Sequence, residues 1–77
     1  MTRLRLAKYK ELKKVAESVG FRWVRCEGSH NTFHNTEGRI IVIADHGSQV
    51  IVRSLMRKII RDLGISVAEY HKILDDI

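Results

Sequence analysis

From Lys8 to Val19 the apolar residues Tyr9, Leu12, Val15, Ala16 and Val19 recur every three or four positions, with Lys8, Lys10, Lys13 and Lys14 between them. This period predicts an amphipathic helix over 8–19 with one buried stripe. Gly20 stands where a left-handed residue closes such a helix, and Phe21 can then fold back on the last turn. A second stripe, Leu55, Met56, Ile59, Ile60 and Leu63, has Arg57, Lys58 and Arg61 opposite it. It predicts a helix over 54–63, stopped by Gly64. Ser66-Val67-Ala68-Glu69 reads as a capping box, opening a short last helix with Tyr70, Ile73, Leu74 and Ile77 along its apolar edge.

Between the helices the period shortens to two. Arg22–Glu27 and His30–Asn35 carry the β-branched and aromatic residues of strands, and Gly28-Ser29 forms a two-residue hairpin turn with glycine first. A turn of that length sets Glu27 opposite His30, Cys26 opposite Asn31, Arg25 opposite Thr32, Val24 opposite Phe33 and Trp23 opposite His34. Alternation then puts Val24, Cys26 and Phe33 on a core face, and Trp23, Arg25, Glu27, His30, Thr32 and His34 on the other. After a turn at Thr36-Glu37-Gly38, Arg39–Ala44 is a third strand, apolar on both faces for four residues. Its register stays open: it is either a central buried strand or a surface that a partner covers. The expected fold is α+β: a helix, a three-stranded antiparallel sheet, a helix and a short C-terminal helix. Both main helices should cover one sheet face and leave the Trp23 and His30 face open.

The chain is 77 residues long, which fits one domain over 1–77. Fourteen Lys and Arg against nine Asp and Glu give a net charge of +5, which favours a polyanionic partner without choosing between RNA, DNA and an anionic membrane. No apolar run is long enough to span a bilayer, and MTRLRLAKYK lacks the apolar stretch of a secretion signal, so the expected location is the cytoplasm. Cys26 is the one cysteine; it can form no internal disulfide, CxxC pair or zinc set, and is expected as a small buried residue.

The histidines at 30, 34, 46 and 71 raise the question of a metal. His30 and His34 stand ~13 Å apart along a strand, too far to share an ion, and no carboxylate or thiol set completes a site. No phosphate-binding glycine loop appears, and Ser29 beside His30 belongs to the turn rather than to a nucleophilic triad. What remains is imidazole acid/base chemistry beside cations, which suffices for cutting RNA because the 2′-hydroxyl is an internal nucleophile. His30 is the candidate catalytic group, Arg25 on its face can hold the phosphate, and Glu27 faces it across the hairpin. Each residue also has a plainer reading: His30 as an idle surface histidine, Trp23 as a core residue rather than a base-stacking platform, and the lysines as a solvated face that attracts RNA.

The order of residues resembles the HicA-type mRNA interferase toxins of HicAB toxin-antitoxin systems. The resemblance is carried by Lys13-Lys14, Gly20-Phe21, Arg25, Gly28-Ser29-His30 with Phe33, Gly38-Arg39, Ile43-Ala44-Asp45-His46, the helix with Arg57, Ile59 and Arg61, and Gly64-Ile65-Ser66 leading into Val67-Ala68-Glu69-Tyr70. It implies a double-stranded-RNA-binding-domain-like fold and a metal-independent, ribosome-independent endonuclease acting on single-stranded mRNA with no cofactor. It also implies a HicB-type antitoxin that covers the active site. The catalytic histidine after Gly-Ser is His30; RNA contacts are expected from Arg25, Lys13, Lys14, Trp23 and His46, the second motif histidine. Ala44 departs from the family's usual proline, and Ser54-Leu55 from its Gly-Thr pair. Two rivals are a non-catalytic RNA-binding module of the same fold and, ranked last, a small DNA-binding protein using the second helix, whose apolar stripe the core needs.

Overall fold

Every helix begins or ends on a group that answers its unpaired backbone. The computed structural model describes residues 3–77, ordered α1 (Tyr9–Ser18), β1 (Arg22–Glu27), β2 (His30–His34), β3 (Ile40–Ala44), α2 (Arg53–Leu63) and α3 (Val67–Asp76). At the start of α1 the Lys8 amide donates to Glu11 Oε1 at 2.9 Å. At its end Gly20 takes φ +96°, the Gly20 amide donates to the Glu17 carbonyl, and the Phe21 amide donates to the Ala16 carbonyl. This is the Schellman closure, and Phe21 is buried behind it. The capping box of α3 forms in both directions, with the Glu69 amide donating to Ser66 Oγ and the Ser66 amide to Glu69 Oε1. The end of α2 has a cap from outside the helix: Arg39 Nη1 donates to the Asp62 carbonyl at 3.0 Å.

The α+β order is the expected one, and the sheet is open and antiparallel in the order β1-β2-β3. The register that pattern left open is set by β2, with Asn31 opposite Ile43 and Phe33 opposite Ile41. Phe33, Ile41 and Ile43 thereby share the face under the helices and are buried with Leu12, Val15, Met56 and Ile59. Ile40 and Val42 point to the other face and stand exposed. The long apolar run is thus half core and half bare surface. No described helix is long and apolar enough to cross a membrane.

Two features of β1 differ from expectation. Glu27, Cys26 and Arg25 pair with His30, Asn31 and Thr32 as predicted, but a bulge follows, so that Trp23 pairs with Phe33 and Arg22 with His34. The extra residue, Val24, shifts the phase of all that precedes it. Trp23 therefore lies on the Phe33 side, not on the His30 side, and Val24 is exposed rather than core. The physical reason is a polar one: on the new side the indole Nε1 donates to Oδ1 of the buried Asn31 at 2.9 Å. Cys26 is likewise exposed, because α1 and α2 pack on β3 and leave all six residues of β1 overhanging.

The N-terminal segment is strapped to α3. Tyr70, fully buried, donates its hydroxyl to the Arg5 carbonyl at 2.7 Å, the Arg5 amide donates to His71 Nε2, and Arg5 Nη1 pairs with Asp75 at 2.6 Å. Arg53 Nη1 adds a bond to the Leu4 carbonyl. Burial pushes the Tyr70 phenol up to about 12. An acid whose folded value lies above its unfolded value, near 10, stabilises the fold below pH 10 and loses that contribution as pH rises towards 12. Urea midpoints should therefore fall more steeply between pH 10 and pH 12 for the wild type than for Tyr70→Phe. Equal slopes would show that Tyr70 is not the titrating group.

Candidate active site

The hairpin between β1 and β2 places His30. Gly28 takes φ +62° while Ser29 stays at negative φ, the pattern of a two-residue turn that needs glycine first. The turn is braced from three directions. Cys26 Sγ donates to the Gly28 carbonyl at 3.1 Å, Asn31 Nδ2 donates to the Ser29 carbonyl at 3.3 Å, and the Asp45 amide donates to the same Ser29 oxygen at 2.7 Å. His30 follows as the first residue of the central strand, exposed, with Glu27 opposite it on β1 and Ala44 opposite it on β3.

Arg25 and Glu27 lie on the face of His30, and Arg22 and His34 share it farther along. Glu27 makes its ion pair with Arg25, Oε1 to Nε at 3.0 Å, rather than with His30. Those side chains are 60% and 76% exposed, and a pair so open to water contributes under about 1 kcal/mol. A phosphate can displace the carboxylate at little cost and take up the guanidinium fork. The face is mixed, since the exposed Ile40 and Val42 lie on it opposite His34 and Thr32, with β2 between them and the arginines of β1.

Of the other expected site residues, the fold gathers one. Asp45, bonded to Ser29, brings the chain of His46 alongside the hairpin tip, and the loop is folded by Asp45 Oδ1 accepting from the Gly47 amide at 2.8 Å and by the Gln49 amide donating to the His46 carbonyl. His34 sits at the opposite end of β2, ~13 Å from His30 at strand rise. Lys13 and Lys14 are on α1, on the helical side of the sheet, where with Lys10 and Leu74 they line a groove of about 480 Å³. Trp23 is on the helical side of the sheet for the reason given above, about half exposed. Among the described residues no group of three or more His, Cys, Asp or Glu comes together.

Pattern alone assigns Asn31 no role beyond its place opposite Cys26. Its signal was there to find: a polar residue in phase with Phe33, and so on a face where every polar atom needs a partner.

A family model described as HicA toxin of bacterial toxin-antitoxin matches residues 9–65, from the start of α1 to just past α2. The chain belongs to the HicA toxin family. It is therefore a toxin whose counterpart is an antitoxin. No curated relative matches the chain. The match includes the hairpin, β3 and the loop that carries His46, so both departures from the family pattern, Ala44 and Ser54-Leu55, fall within it.

The hairpin depends on Gly28, because a Cβ at its φ is strained although nothing crowds it. Gly28→Ala should lose about 1–2 kcal/mol in urea unfolding. An unchanged midpoint would mean that the turn relaxes into another type.

Proposed function

We propose that this toxin is a ribosome-independent mRNA endonuclease in which His30 is the acid/base group. One observation carries the reading: His30 stands in solvent at the head of the central strand, on the uncovered sheet face, with Arg25 beside it. An imidazole exchanges protons in the cellular pH range, and a positioned one is worth about 10²- to 10⁴-fold. Arg25, released from Glu27, holds the phosphate and offsets the charge that builds on it. The ribose 2′-oxygen attacks phosphorus, its proton passes to a base, the bond to the 5′-oxygen breaks, and that oxygen takes a proton from an acid. His30 serves one of these transfers. His46 is the candidate for the other, because its loop is tied to the hairpin whereas His34 is ~13 Å distant. The nucleophile belongs to the substrate, so this route needs no metal.

Single-stranded mRNA suits the open face better than duplex, because an uncovered sheet face lets an unpaired chain lie along it with its scissile ribose free to align. Lys13, Lys14 and the other cations of the helical side raise the local concentration of RNA rather than touch the reacting phosphate. Purified protein should cut an unstructured transcript in the presence of EDTA without ribosomes, leaving 2′,3′-cyclic phosphate and 5′-hydroxyl ends. His30→Ala should lose at least about 10²-fold in rate with its fold intact. Products ending in 5′-phosphate would overturn the chemistry; tight RNA binding with no cleavage would leave a binding module.

The same face suits a HicB-type antitoxin. Exposed Ile40 and Val42 offer apolar area, and Arg22 and Arg25 offer charge for acidic groups to meet. Association of toxin and antitoxin should slow steeply as salt rises from 50 to 500 mM. Salt-independent association would argue against acidic contacts.

A further inference from the structure

We propose that Asn31 is a positioning residue for His30, acting through the Ser29 carbonyl, and that Trp23 holds Asn31 in that role. Asn31 is only 6% exposed and lies on the core side of β2, between the hairpin tip and Phe33. An amide there is unfavourable unless both of its ends are bonded. Both are. Oδ1 accepts from Trp23 Nε1 at 2.9 Å, and Nδ2 donates to the Ser29 carbonyl at 3.3 Å. The indole has a donor and no acceptor, so it must meet the amide oxygen, and the amide nitrogen is thereby turned to the carbonyl.

The Ser29 carbonyl belongs to the peptide plane that leads into His30, and that plane is rigid. Its oxygen also accepts the Asp45 amide at 2.7 Å, next to His46. A carbonyl oxygen has two lone pairs, and here both are engaged. One atom thus fixes the entry to His30 and ties it to the loop of the second histidine. The β-bulge has its purpose here: by moving Trp23 to the inner side it supplies the donor that Asn31 needs. A displacement of about 1 Å in a catalytic group can cost about 10²-fold in rate, so a hairpin without this brace would bind RNA and turn it over slowly.

The kinetic half of this inference rests on the nuclease reading; the structural half does not. Asn31→Asp keeps an acceptor for the indole but cannot donate to Ser29, and Trp23→Phe removes the indole donor at a half-exposed site where the fold tolerates it. Each should lower kcat about tenfold, with KM within about twofold, at temperatures well below its melting point. In the same variants the Asp45 amide should exchange with deuterium about tenfold faster, while the amides of α2 keep their protection. If Asn31→Asp fails to fold, Trp23→Phe decides alone. Unchanged kcat and unchanged Asp45 exchange in a folded variant would overturn the inference. If the wild type cuts no RNA the nuclease reading falls, and the exchange result still settles whether Asn31 braces Ser29 and Asp45.

Discussion

Phe33 sets the phase of the central strand, and the rest of the molecule follows from it. Its ring is fully buried between the sheet and the helices. Because side chains alternate along a strand, a residue three positions away must point to the opposite face. His30 is that residue, so the core that stabilises the fold also dictates that the imidazole stands in water. A slip of one position in β2 would expose Phe33 and bury His30. Fold and site are therefore specified by one parity. Ile41 and Ile43 obey it on β3, and Ile40 and Val42 are left outside by the same rule.

The helices and the hairpin were legible because their signals are local. Three- and four-residue spacing, Gly20 and Gly64 after the stripes, the Ser66–Glu69 box and a Gly-first turn each act over a few residues, and the three-dimensional fold agrees with all of them. The failures lie where distant parts of the chain decide. Nothing near Val24 announces a bulge; it arises because Asn31 needs a donor and Trp23 can supply one. Cys26 has the size and polarity of a core residue, but the helices settle over β3 and leave it uncovered. For a strand apolar on both sides, composition carries no phase, so β3 had to wait for its neighbour to set it.

The site shows the same division. Glycine, serine and histidine at the turn placed His30 and Arg25 on one face by counting alone. The approach of the His46 loop could not be counted, because it depends on a bond between Asp45 and Ser29 across two strands. Nor could the fate of Glu27, which reaches along its own strand to Arg25 instead of across to His30. Membership of the HicA family assigns the chain to toxin-antitoxin biology. The surface chemistry adds that a cation on the histidine face, Arg25, is held only by an exposed carboxylate, Glu27.

The strap between the first described residues and the last helix has a bearing on the order in which the molecule is made. Arg5 and Asp75 are separated by 70 positions, and Tyr70 from its carbonyl partner by 65. Contacts between such remote positions carry a larger entropic cost of loop closure than local ones. On a ribosome, synthesis runs from the N-terminus, so the sheet bearing His30 is made before Tyr70 and Asp75. Closure of the strap thus waits until α3 is free to dock, after the sheet that bears His30 has been made.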